Sequence, residues 1–261
     1  MKVGVFDSGL GGLTVVNAIQ KLFKGACVYY IADTAYAPYG EKTVEQIVER
    51  CDAITHYLIK THHIKALIVA CNTATSAAIE HLRQTFPALI VIGTEPGIKP
   101  ALLSTKTFHV GVLATPATLK GDKYQLLVNE LSCKNSVVLY EQACAGLVEQ
   151  IEKGEIKSQK TFDMLEKWLL PMKEKGVDTI VLGCTHYPLV EDVIKEIMGN
   201  EIVLIQTSDA IANRLKRLSE EKGHINKGQL DIYVCYTGEI NRPMVEKILN
   251  NKNIEIRKCV I

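Results

Sequence analysis

Two cysteines stand at the ends of apolar runs with polar residues immediately after them. Cys71 follows Ala66-Leu67-Ile68-Val69-Ala70 and precedes Asn72-Thr73-Ala74-Thr75-Ser76; Cys184 follows Val181-Leu182-Gly183 and precedes Thr185-His186-Tyr187-Pro188-Leu189. Short apolar runs of this kind read as buried strands, and the hydroxyl-rich stretch after Cys71 reads as a helix start. A thiol at such a junction feels the positive end of the helix dipole, which lowers its pKa from ~8.5. Pro188 suits the first turn of a helix after Cys184. A group whose pKa lies near the operating pH is an efficient general acid or base. Two such thiols facing each other could invert a stereocentre, one taking a proton from carbon and the other returning one to the opposite face. A third segment, Val5-Phe6-Asp7-Ser8-Gly9-Leu10-Gly11-Gly12-Leu13, runs from a strand through glycines into a helix. Its glycines permit close backbone approach, and the helix start offers N–H donors suited to a carboxylate. The spacing is neither GxGxxG nor a GK[ST] loop, which argues against a nucleotide.

Each of these residues also has a plainer reading. Cysteine is often a buried hydrophobe, and Asp7 and Ser8 could be turn or cap residues. Cys27 and Cys235 fall within strands and Cys51 on an apolar helix stripe, so all three read as core. Cys133, Cys144 and Cys259 have no chemical neighbours in sequence. Cys-Thr-His could suggest a metal, but no further ligand spacing supports one.

Strands are expected at 2–6, 27–31, 66–70, 89–92, 108–113, 136–139, 179–182, 202–205 and 232–235. Helical periodicity covers 43–60 and 162–172, each with one apolar stripe. This alternation predicts an α/β fold of parallel sheets with flanking helices, whose ligands bind beyond the carboxyl ends of the strands. The chain also resembles itself. Val3-Gly4-Val5-Phe6-Asp7-Ser8 matches Val110-Gly111-Val112-Leu113-Ala114-Thr115 at an offset of 107, and Ile68-Val69-Ala70-Cys71-Asn72-Thr73 matches Val181-Leu182-Gly183-Cys184-Thr185-His186 at 113. Two near-equal offsets point to duplicated lobes, each with a cysteine at a strand end. A Pro/Gly turn at Glu95-Pro96-Gly97 marks the boundary.

The 261 residues hold 30 Lys+Arg against 29 Asp+Glu, a balance that gives no reason to expect nucleic acid or an anionic membrane as partner. At 47% hydrophobic residues the chain has enough apolar surface to fold rather than stay disordered. Apolar stretches are far shorter than the ~18 residues of a membrane span. Asp7 interrupts the only apolar start, so no signal peptide is expected. The eight cysteines include no CxxC pair, and the expected setting is the cytoplasm with reduced thiols.

The segments Gly4-Val5-Phe6-Asp7-Ser8-Gly9-Leu10-Gly11-Gly12, Pro38-Tyr39-Gly40, Ala70-Cys71-Asn72-Thr73-Ala74 and Gly183-Cys184-Thr185-His186-Tyr187-Pro188, in that order, resemble the glutamate racemases of the cofactor-independent aspartate/glutamate racemase superfamily. The resemblance spans essentially the whole chain. It implies interconversion of L- and D-glutamate, supplying D-glutamate for peptidoglycan, with no pyridoxal phosphate, metal or nucleotide. It implies that Cys71 and Cys184 are the two acid/base residues, with Asp7 assisting Cys71 and His186 assisting Cys184. Substrate binding carries over to Asp7, Ser8, Tyr39, Gly40, Asn72, Thr73, Thr185 and His186, and further to Thr115, Thr118 and the acidic residue Glu149. The implied architecture is two pseudo-symmetric α/β lobes with the active site in the cleft between them, 1–95 plus 209–261 and 96–208. A homodimer is implied as well. Control by a cell-wall precursor, which goes with a long N-terminal extension in the family, is not expected from a chain that starts at its first strand. The competing readings are an aspartate racemase, a one-thiol decarboxylase disfavoured by the second cysteine, and a two-lobed binding protein that has no use for the thiols.

Overall fold

Strands rich in Val, Ile and Leu alternate with amphipathic helices, and the result is two wholly parallel sheets. The computed structural model describes residues 1–132, 137–224, 226–250 and 254–261. Among them the strands are β1 (Lys2–Asp7), β2 (Ala26–Ala32), β3 (Ala66–Val69), β4 (Ile90–Gly93), β5 (His109–Ala114), β6 (Val138–Ala143), β7 (Thr179–Gly183), β8 (Val203–Ile205), β9 (Leu230–Tyr236) and β10 (Glu255–Lys258). The chain divides into two units, Met1–Thr94 with Ser208–Ile261, and Glu95–Thr207.

In the first unit the strand order is β10-β9-β2-β1-β3-β4, and in the second β6-β5-β7-β8. The inner order β2-β1-β3-β4 has the same topology as β6-β5-β7-β8, with β1 equivalent to β5 and β3 to β7. That correspondence is the structural form of the internal repeat, and the first unit adds β9 and β10 at one edge. Parallel strands covered by helices on both faces are buried throughout, which is why β3 and β7 read as unbroken apolar runs.

The helix Val44–Tyr57 begins with a capping box between Thr43 and Gln46 and buries Ile47, Cys51 and Ile54. It packs on the helix Asn72–Thr85 over a core that includes Phe6, Leu67 and Val69. In the second unit Val110, Val112 and Val181 form the core with Ile98, Ala101 and Tyr124.

The structure departs from the sequence expectations in local detail. The helical period over 43–60 ends as an α-helix at Tyr57 and continues as a π turn, Leu58–His62, closed by His63 at φ 54°. Leu58 in that turn packs over Gly4, where an added Cβ would lie 2.8 Å from Leu58 Cδ1. Strand β10 escaped sequence reading because Glu-Ile-Arg-Lys offers a single apolar residue. It is an edge strand whose charges face solvent, a common guard against edge pairing. Cys27, expected in the core, is only partly buried, with its Sγ 3.9 Å from Asp231 Oδ2. Cys51 and Cys235 are buried as expected. Cys133 and the first residue of the strand expected at 136–139 lie outside the described residues. Among the described residues, no helix is long and apolar enough to cross a membrane.

Gly12 is held where three walls converge. A Cβ there would meet Asp7 Cβ at 2.8 Å and Ala70 Cβ and Tyr30 Cε2 at 3.0 Å. Gly12→Ala is therefore expected to lower stability by ~1–3 kcal/mol through overpacking. Urea unfolding measures this, and an unchanged midpoint would show that the loop yields freely.

Candidate active site

In the first unit the candidate residues gather at the carboxyl ends of β1 and β3. Asp7, the last residue of β1, is fully buried. Its Oδ2 accepts from Gly12 N–H at 2.5 Å and its Oδ1 from Ser8 N–H at 2.7 Å, so the carboxylate folds its own glycine loop around itself. The register pairs Phe6 with Val69, which brings Ser8 beside Cys71, each two residues further along. Ser8 Oγ lies 3.4 Å from Asp7 Oδ1 and 4.0 Å from Cys71 Sγ, and this hydroxyl links carboxylate to thiol. Cys71 occupies the N-cap of the helix Asn72–Thr85 in extended conformation. The helix's positive end sets a fixed partial charge beside this residue. Asn72 and Thr73 start the same helix and are buried, with Asn72 Nδ2 donating to Thr94 O at 3.3 Å. After β2, Tyr39 and Gly40 open a 3-10 turn; Tyr39 is buried and Gly40 exposed.

In the second unit the equivalent strand ends carry a different set. Cys184 follows β7, and the pairing of Ala114 with Gly183 sets it beside Thr115 at the end of β5. Thr115 caps the short helix Pro116–Lys120 by accepting from Thr118 N–H, and the two hydroxyls lie 2.8 Å apart. After Cys184 the chain forms a 3-10 turn, Tyr187–Val190, with Pro188 in its first two positions, before the helix Glu191–Met198. Cys184 Sγ lies 3.6 Å from His186 Nδ1, and His186 Nε2 lies 2.6 Å from Glu152 Oε1. The imidazole is thus clamped between sulfur and carboxylate. Burial disfavours its charged form, but the hydrogen bonds to Cys184 and Glu152 outweigh that and hold the His186 pKa well above the usual range.

Cys71 and Cys184 are 6% and 7% exposed, both sheltered from bulk solvent. Cys144, near Cys184, is also buried, but burial pushes its thiol up to about 12 and removes it as a base at neutral pH. Glu149 is exposed on the helix Leu147–Glu152. The carboxylate that meets His186 is Glu152, three residues later on that helix, which sequence reasoning passed over. Cys259, unassigned from sequence, hydrogen-bonds Cys235, and that bond with Arg257 lowers the Cys235 pKa to about 6.

The profile of the Asp/Glu/Hydantoin racemase family matches residues 7–215. The chain belongs to this family. It is 67% identical to the glutamate racemase of Aliarcobacter butzleri, over all of both chains, and 61% identical to that of Sulfurovum sp., over 95% of this chain and 94% of the relative. Among solved structures, a glutamate racemase isoform from Bacillus anthracis is 30% identical with a TM-score of 0.87, covering 99% of this chain and 97% of that one. The Escherichia coli glutamate racemase, solved with L-glutamate and the activator UDP-MurNAc-Ala, is 30% identical with a TM-score of 0.85, covering 98% and 97%. The two parallel sheets flanked by helices are thus the fold of these racemases.

The His186 pair carries a sign that can be tested. With the folded-state pKa above the unfolded value, the protonated ring stabilises the fold fully below pH ~6.5, and that contribution is lost as pH rises through the folded pKa. An NMR titration of His186 is expected to show a midpoint above that of an ordinary histidine, and Glu152→Gln is expected to lower it. A midpoint at or below the ordinary value would contradict the clamp.

Proposed function

We propose that this family member interconverts L- and D-glutamate with Cys71 and Cys184 as its two bases. The observation that carries the reading is that the equivalent strands β3 and β7, in units of matched topology, each run into a sheltered thiol among hydroxyl and amide groups. One thiolate takes the proton from Cα, and the other thiol delivers a proton to the opposite face. Composition is unchanged and only the stereocentre inverts. Asp7, through Ser8, supports Cys71, and His186, backed by Glu152, supports Cys184.

The substrate offers two carboxylates and an ammonium group. Ser8, Asn72, Thr73, Thr115, Thr118 and Thr185 supply hydroxyl and amide partners, and the Tyr39–Gly40 turn supplies backbone. Glu149, exposed, stands at the margin of this set. Fixed donors of this kind stabilise charge developing on the substrate without having to reorganise. The product would serve as D-glutamate for peptidoglycan, made in the cytoplasm by a homodimer, as the family resemblance implies.

A circular-dichroism assay with no added cofactor is expected to show racemisation from either enantiomer of glutamate. Because enantiomers have equal free energy, kcat/KM must be equal in the two directions. Cys71→Ser and Cys184→Ser are each expected to lose roughly 10²–10⁴ in rate, since a hydroxyl is a far poorer base than a tuned thiol. Near-normal activity in either variant would remove that residue from the mechanism. Turnover of aspartate in place of glutamate would move the chain to a neighbouring branch of the family.

A further inference from the structure

Behind the Tyr39–Gly40 turn lies a charged network that the proposed chemistry does not use. Asp33 directly follows β2, and its N–H donates to the Asp7 carbonyl at 2.8 Å, so it stands next to Asp7 at the same sheet edge. Its side chain is fully buried, and every acceptor position on it is filled. Oδ2 accepts from Arg50 Nε at 2.8 Å and from the Tyr39 hydroxyl at 2.7 Å. Oδ1 accepts from Arg50 Nη2 at 2.5 Å and from Thr237 Oγ1 at 2.9 Å. The remaining terminal nitrogen of Arg50, Nη1, donates to the backbone oxygen of Ile261 at 2.8 Å.

One guanidinium therefore joins three parts of the first unit. It comes from the helix Val44–Tyr57, forks onto the carboxylate at the end of β2, and holds the segment that follows β10. The Tyr39 phenol is wholly engaged from behind. Burial and the Asp33 carboxylate hold its pKa well above the usual value, so it stays a donor to Asp33. What the turn can offer a ligand is its backbone, and the placement of that backbone depends on the clamp. The Tyr36 ring closes the other side, edge-on to Tyr39 with 6.1 Å between centroids and with the Arg50 guanidinium 5.5 Å from its own centroid.

We propose that Arg50 is a positioning residue for glutamate binding, fixing the Tyr39–Gly40 turn through Asp33 and tying the Ile261 segment to it. The inference rests on the reading of that turn as part of the substrate site. The turn supplies no group to the proton transfer and would bind the ground state and the transition state alike. Loosening it should raise KM and leave kcat nearly untouched. A lysine keeps the charge of Arg50 but cannot span two carboxylate oxygens and a backbone oxygen at once.

The test compares Arg50→Lys and Tyr39→Phe with the wild-type chain. Arg50→Lys is expected to raise KM for both enantiomers ~10-fold, with kcat within about twofold. Tyr39→Phe removes one bond of the network and is expected to move KM in the same direction by less. A second readout separates positioning from mere stability. The alkylation rate of Cys71 without substrate should stay at the wild-type value, while the glutamate concentration giving half-protection should rise in step with KM. An unchanged KM in both variants, or a fall in kcat at constant KM, would overturn the proposal. If Arg50→Lys fails to fold, Tyr39→Phe alone decides by the same criteria. A wild-type chain inert to glutamate would instead overturn the proposed activity, and this inference with it.

Discussion

Cys71 and Cys184 stand where buried parallel strands end, and such a ladder does not tolerate a shift of one residue, because every side chain would swap faces and meet the packing of the opposite helix layer. Pairing of β1 with β3 and of β5 with β7 therefore determines which residue follows each strand into the open. In the first unit it sets Cys71 beside Ser8, and in the second it sets Cys184 beside Thr115. The glycine loop after β1 adds to this. Asp7 binds two N–H groups of that loop, and Gly12 leaves no room for a larger side chain, so the carboxylate, the hydroxyl and the thiol are fixed as one group.

The two thiols are supported by different physics. Cys71 has the N-terminus of a fourteen-residue helix and the Ser8 hydroxyl. Cys184 is followed by a 3-10 turn and has the His186 imidazole, whose pKa the hydrogen bonds to Cys184 and Glu152 raise. A helix end supplies a fixed partial charge. A buried imidazolium supplies a full charge and a proton, and it depends on two partners to remain charged against desolvation. The two units thus share a strand-end cysteine and differ in what surrounds it. The proposed two-thiol reaction needs both groups competent in both directions, and two distinct devices can meet that need.

Much of this was legible in the sequence because it is local. Glycine-rich Asp7–Gly12, the Cys-Asn-Thr start and the Cys-Thr-His segment each announce a strand end by residue type. The near-equal offsets announced the repeat that the two matched strand orders embody. The contacts that escaped join residues distant along the chain. Glu152 meets His186 across 34 positions, and helical spacing alone could not decide between Glu149 and Glu152. Asp33 gives no signal in sequence, and only the fold sets Arg50, 17 positions later, against it. Cys259 gained a partner only because β10, too charged to read as a strand, lies beside β9. Pairings of this kind come from packing, which sequence period does not encode.

In the proposed reaction one thiol removes the Cα proton and a different one replaces it from the other face. Racemisation in deuterated water, stopped below ~10% conversion, tests it most directly, because general acid–base groups exchange their protons with solvent between turnovers. Proton NMR of the Cα signal after chiral separation reads the outcome. Two bases predict product carrying deuterium at Cα and recovered substrate that remains protiated. Deuterium appearing in recovered substrate, or product that keeps its original proton, would contradict the account.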